Sequence, residues 1–130
     1  MKPRAIELMV VGDILLGAPE AEPYFDRARP VLQRGDVVVG QVEWPHTRRG
    51  QVCSSDMPAP AADPEHLKAV KNAGFHVATV ASNHMFDQGP FGVADTVQGL
   101  RELGIATVGA GANLAEARRD LDRKQLLVER

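Results

Sequence analysis

Cysteine is almost absent from this sequence, since Cys53 is the only one among 130 residues. A single cysteine cannot form an internal disulfide, so nothing in the fold requires an oxidising compartment. Aromatic residues make up 5% of the chain and the formal net charge is −2, which argues against a base-stacking platform and against a basic nucleic-acid surface. Neither a signal-peptide core nor an apolar run of bilayer length is present. The sequence as given therefore predicts a cytoplasmic protein without a nucleic-acid partner or a membrane segment.

Apolar runs alternate with segments of helical period, a pattern typical of an α/β protein with a mostly parallel sheet flanked by helices. The length predicts one domain over 1–130. Strands are predicted at 6–12, 37–43, 75–81 and 105–108, with the start of a fifth at 125–128. Helices are predicted after Pro19 and Pro23, then from Asp63 to Gly74, over 93–103 and over 114–121. The near-continuous apolar character of 6–12 predicts a first strand covered on both faces.

Polar side chains follow three of these predicted strands. Asp13 follows the first strand, Glu43 ends the second, and Asn83, His84 and Asp87 come soon after the third. Because ligands bind at the carboxyl ends of strands in an open α/β sheet, we expect these side chains to lie at a common edge. Taken singly, Asp13 and Glu43 also fit strand-end residues that face water, and Asn83 fits a turn former.

Carboxylate, amide and imidazole groups are ligands for divalent metal ions, and a pair of such ions supports phosphate-ester hydrolysis. We predict Asp13, Glu43 and Asn83 as metal ligands. His84 is predicted to protonate a leaving group or to hold a phosphate, and Asp87 to orient the imidazole. The expected substrate is a small molecule or polymer that bears phosphate or carboxylate groups.

Four stretches of the sequence resemble the capsule-synthesis protein CapA family, also called the poly-gamma-glutamate biosynthesis proteins. They are Gly12-Asp13-Ile14-Leu15-Leu16-Gly17, Val42-Glu43, the run from Ala73 through Ser82-Asn83-His84-Met85-Phe86-Asp87, and the run from Gly104 to Gly111. The family belongs to the calcineurin-like metallophosphoesterase superfamily, so the resemblance implies the N-terminal half of an α/β/β/α sandwich. It also implies divalent metal ions (Mn, Zn, Fe or Mg), a bridging role for Glu43, and a catalytic or phosphate-contacting role for His84.

Two features depart from the superfamily pattern. Leu15 stands where many metallophosphoesterases have a metal-binding histidine, and no histidine follows His84. Either the chain is the N-terminal part of a longer protein or its site is incomplete, and the predicted strand at 125–128 favours a C-terminal truncation. Two functions stay open: a metal-dependent, phosphoesterase-like hydrolase whose site is incomplete in this chain, and a non-catalytic assembly or binding factor with the same fold.

The segment 44–60 has no apolar period and exceeds the usual length of a structureless connection, which favours a functional loop or flap. Within it, His46, Arg48 and Arg49 are reserve candidates for contacts with phosphate or carboxylate oxygens. A solvated loop is the simpler interpretation of the same residues.

Overall fold

Four parallel strands in the spatial order β1-β2-β3-β4 form the sheet of this computed structural model, which describes residues 5–53 and 56–119. The strands are β1 (Leu8–Ile14), β2 (Val37–Val42), β3 (Val77–Thr79) and β4 (Ala106–Val108). The prediction of an α/β fold with a parallel sheet is confirmed. The predicted strand at 125–128 lies outside the described residues.

The helices are α1 (Arg29–Leu32), α2 (Leu67–Ala73), α3 (Gly89–Glu102) and α4 (Leu114–Ala117), with 3-10 turns at Glu22–Phe25 and Pro64–His66. Asp63 begins the second helical segment as predicted, because its Oδ1 accepts the backbone N–H of Glu65 at 2.9 Å. Gly74 ends it with a φ of 103°, a left-handed conformation that glycine adopts without strain. None of the described helices is long and apolar enough to cross a membrane.

The predicted helix after Pro19 and Pro23 is wrong in extent. Only a 3-10 turn and the one-turn helix α1 form there, and Tyr24 and Val31 are exposed. Pro30 lies in the first turn of α1. Because proline lacks a backbone N–H and clashes with the preceding turn, it starts a helix readily but does not continue one. The segment is therefore divided.

The hydrophobic core lies on one face of the sheet. Along β2, burial alternates with period two, and Val38 and Val42 are fully buried. These two side chains join Val70 of α2 and Leu100 of α3 in a single cluster. When parallel strands follow one another in chain order with right-handed crossovers, the connecting helices lie on the same side of the sheet. Helices α2 and α3 obey this rule.

The opposite face of β1 is apolar and accessible. Met9 packs against the core, so its neighbours Leu8 and Val10 point the other way and are 61% and 68% exposed. The prediction that the first strand is covered on both faces is wrong for the described residues. An apolar run predicts a strand, but it does not show whether a second layer covers it.

Candidate functional site

A β-bulge sets the position of Asp13. Val10 pairs with Val39, but the next pair recorded between β1 and β2 is Asp13 with Gln41, so β1 contains one extra residue. A regular ladder would have placed Gly12 opposite Gln41. Bulges commonly redirect a side chain near a functional site. The predicted strand end at Gly12 is corrected accordingly, because β1 continues to Ile14 and Asp13 lies inside it.

Gln41 joins two of the predicted metal ligands. Its Nε2 donates to Oδ1 of Asp13 at 3.0 Å and to Oε2 of Glu43 at 2.7 Å. Glu43 directly follows β2, and its hydrogen bond with Gln41, two residues earlier, shows that the two side chains lie on the same side of the chain. The structure thus brings the carboxylates of Asp13 and Glu43 together around one amide group. Sequence reasoning missed Gln41, although its spacing from Glu43 was a usable signal.

Glu43 is buried, with 6% of its surface exposed, and backbone bonds fix it on both sides. Its N–H donates to the carbonyl of Ile14, and its carbonyl accepts the Ser82 hydroxyl at 2.8 Å. Ser82 therefore ties the end of β2 to the turn that follows β3. Asn83, the next residue, is exposed and makes no side-chain hydrogen bond to another described residue. It follows β3 at the carboxyl end of the sheet and makes no hydrogen bond to either carboxylate.

His84 and Asp87 form the second part of the site. Nδ1 of His84 lies 2.7 Å from Oδ2 of Asp87, and the same oxygen accepts the backbone N–H of Ala59 at 2.7 Å. The hydrogen bond from Ala59, followed by the one from His84, holds the pKa of the Asp87 carboxyl below its ordinary value. An ionised Asp87 accepts from Nδ1, so the Nε2 atom of His84 is left for other partners. The predicted orienting contact is present.

The long loop after β2 packs against α3. The hydroxyl of Thr47 donates to Asp95 at 2.5 Å, and the Arg49 guanidinium donates to both oxygens of the same carboxylate. Arg48 makes a similar pair with Asp63. Both arginines, reserve candidates for substrate oxygens, therefore pair with carboxylates of the chain itself, and these pairs connect the loop to neighbouring segments.

His46 is fully buried, so its reserve role as a substrate contact is wrong. Its Nδ1 lies 2.9 Å from the Trp44 carbonyl, and its backbone N–H donates to Thr96. Its Nε2 has no hydrogen-bond partner in the described part of the chain. Burial lowers the pKa of His46 from 6.5 to about 4, because the charged imidazolium is poorly solvated there. His46 is a structural residue of the loop.

The donor set of this edge suits a hard divalent cation only in part. Among residues 5–53 and 56–119, no group of three or more His, Cys, Asp or Glu side chains is placed to hold a metal ion. The two carboxylates share the Gln41 amide as a hydrogen-bond donor, however. Carboxylate and amide oxygens are the ligands that Mg²⁺ and Mn²⁺ take in proteins. The residue types fit such an ion.

Fold and site together define an α/β protein with a carboxylate- and amide-bearing cluster at the carboxyl ends of a parallel sheet. The sequence model of the bacterial capsule synthesis protein family PGA_cap matches residues 7–124. The chain belongs to this family, which confirms the resemblance drawn from its motifs.

Curated relatives agree with this assignment. The chain is 32% identical over 125 residues to the capsule biosynthesis protein CapA of Bacillus anthracis, covering 87% of this chain and 30% of the relative. It is 27% identical to the PGA biosynthesis protein CapA of Bacillus subtilis, covering 89% and 33%. A probable polyglutamine synthesis accessory protein of Mycobacterium tuberculosis is 45% identical over 56 residues, which cover 43% of this chain and 15% of that protein. The chain thus spans about a third of the two CapA proteins.

Proposed function

We propose that this chain supplies part of a divalent-cation site for a hydrolase of the metallophosphoesterase kind that acts in capsule or poly-gamma-glutamate assembly. The observation that carries the proposal is the shared hydrogen bonding of Asp13 and Glu43 to Gln41. Two carboxylates, one in β1 and a buried one directly after β2, are costly to hold together without a compensating positive charge. A cation at this position would provide that charge.

Asp13 and Glu43 would hold the ion, and Asn83 would add an amide oxygen from the next strand end. When bound, such an ion polarises a substrate oxygen and makes a water molecule a stronger nucleophile. It would also let an anionic substrate approach an edge that otherwise presents two carboxylates. The ion we propose is divalent Mn, Zn, Fe or Mg.

His84 would transfer or hold a proton beside this ion. Its side chain is 33% exposed, and Asp87 holds its Nδ1 at 2.7 Å. The fixed Nδ1–H leaves Nε2 as the atom that meets a leaving group or a phosphate oxygen. Asp87 acts through His84 and is a positioning residue in this scheme.

The substrate we propose bears phosphate or carboxylate groups and is a small molecule or a polymer. The names of the two Bacillus relatives connect them to capsule and PGA biosynthesis, which supports a polymeric, carboxylate-rich partner. Fold alone does not choose between phosphate and carboxylate chemistry.

A non-catalytic assembly or binding factor is the second candidate. It is favoured by the Gln41 amide, which already satisfies both carboxylates, and by the lack of a three-ligand His, Cys, Asp or Glu group within the described residues. In this case the fold would persist while metal binding and turnover would be weak.

One assay separates the two candidates. The purified chain is incubated with Mn²⁺ or Zn²⁺ and a chromogenic phosphodiester, alongside Asp13→Asn as the site variant and Asp56→Asn as an exposed acidic control. We expect metal binding that Asp13→Asn abolishes, with low turnover by the chain alone. Equal metal binding by the wild-type chain, Asp13→Asn and Asp56→Asn would contradict the proposed site. Rapid turnover lost only in Asp13→Asn would show instead that the site is complete within these residues.

A further inference from the structure

The hydrogen-bond partners of the Gln41 amide show which of its two ends, NH₂ or oxygen, faces the carboxylates. Both acceptors, Oδ1 of Asp13 and Oε2 of Glu43, belong to carboxylates, and an ionised carboxylate only accepts hydrogen bonds. The end of the amide that faces them must therefore be the NH₂ group. Its other end, Oε1, lies 3.5 Å from the Thr79 hydroxyl, at the limit of hydrogen-bonding distance. The side chain is held mainly through its nitrogen.

An NH₂ group and a metal ion cannot bind the same carboxylate oxygens at one place. The amide protons carry partial positive charge and stabilise the two carboxylates, as a cation would, but more weakly. A cation that bridges Oδ1 of Asp13 and Oε2 of Glu43 on the side where the amide lies would occupy the position of the Gln41 Nε2 atom and must displace the amide. The free energy of its two hydrogen bonds is then lost, and the apparent affinity for the cation falls accordingly.

We propose that Gln41 is an internal competitor for the cation site: it holds Asp13 and Glu43 together in the cation-free protein and leaves them when a divalent cation binds. This inference rests on the proposed function, since it requires that the two carboxylates bind a cation. Gln41 is a positioning residue here, because it acts on the ligands and not on the substrate.

The test compares Mn²⁺ affinities by isothermal titration calorimetry in the wild-type chain, in Gln41→Ala and in Gln98→Ala. Gln98 is a matched control, because its amide donates to the Glu102 carboxylate at 2.7 Å on the exposed side of α3. We expect Gln41→Ala to bind Mn²⁺ at least about tenfold more tightly than wild type, because the cation no longer displaces two amide hydrogen bonds and a single charge-assisted bond already corresponds to about tenfold. Gln98→Ala is expected to match wild type.

A second measurement does not depend on the folding of the variant. In the wild-type chain, the side-chain NH₂ resonances of Gln41 are followed by ¹⁵N NMR while Mg²⁺ or Zn²⁺ is added. We expect them to move upfield as the carboxylates release the amide, while the NH₂ resonances of Gln98 stay in place.

The outcomes separate this inference from the proposal on which it rests. If wild type binds the ion but Gln41→Ala binds equally or more weakly, or if the Gln41 resonances stay unchanged at saturation, the competitor role is overturned and the cation site stands. If neither wild type nor folded Gln41→Ala binds any of these ions, the proposed cation site is itself refuted.

Discussion

Oδ2 of Asp87 accepts two hydrogen bonds of equal length, one from Nδ1 of His84 and one from the backbone N–H of Ala59, each at 2.7 Å. The first bond orients the imidazole for which we propose a role in proton transfer. The second joins the same carboxylate to the long loop after β2. The position of that loop and the orientation of His84 are therefore coupled through a single side chain.

Asp87→Asn should destabilise the chain by about 1–2 kcal/mol at pH 7, because a neutral amide oxygen cannot serve both donors as well as a carboxylate does. The pKa of Asp87 is lowered in the folded state, so its ionised form is the one the fold stabilises. This contribution is complete above the ordinary pKa of 3.8 and is lost as the pH falls through the lower folded value.

Urea unfolding of wild type and Asp87→Asn from pH 7 to pH 2.5 measures this change in the free energy of unfolding. The control is Asp56→Asn, a substitution at an exposed residue. The difference between wild type and Asp87→Asn should shrink below about pH 4. A constant difference over the whole range would exclude Asp87 ionisation as its origin.

Ser82→Ala should weaken cation binding severalfold, although Ser82 touches no cation ligand side chain. Its hydroxyl donates to the Glu43 carbonyl and accepts the His84 backbone N–H, so it fixes two strand ends relative to each other. Calorimetric titration with Mn²⁺ measures the loss, and Ser82→Thr, which keeps the hydroxyl, should restore most of the affinity. Equal affinity in Ser82→Ala and wild type would show that this link does not organise the site.

Stability should fall between pH 6.5 and pH 4 because of His46. Its folded pKa is about 4 against an ordinary value of 6.5, so the unfolded chain takes up a proton in this window while the folded chain does not. The loss amounts to about 3 kcal/mol at most. NMR titration of the histidine Cε1–H resonances should give a midpoint near 4 for His46, whereas a midpoint near 6.5 would contradict the buried, neutral imidazole.

Much of the fold could be predicted because its strands are strongly apolar and its helix ends carry clear signals. Asp63 and Gly74 mark their helix in the sequence as they do in the structure, and β2 differs from its prediction by one residue. The segment after Pro23 could not be predicted as well. The helical spacing of its residues predicted one helix. Pro30 interrupts that helix, and the prediction did not take this proline into account.

The residue types at this edge of the sheet could be predicted, but their contacts could not. Asp13 and Glu43 were proposed as ligands because each follows an apolar run, and this stays a prediction, whereas the contact of Gln41 with Asp13 depends on a bulge between Val10 and Asp13. Such a bulge changes the residue of β1 that pairs with Gln41, and no local sequence pattern predicts the bulge. The pairing of Arg49, a reserve candidate for substrate oxygens, could not be predicted for the same kind of reason, since its partner Asp95 lies 46 residues away.

The most direct test of the central claim is an anomalous difference map from a crystal of this chain soaked in Mn²⁺. We expect a manganese peak between Asp13 and Glu43, with an oxygen of each carboxylate at coordinating distance and with the Gln41 nitrogen withdrawn from both. A map in which manganese binds only elsewhere on the surface, while Gln41 still donates to both carboxylates, would contradict the account.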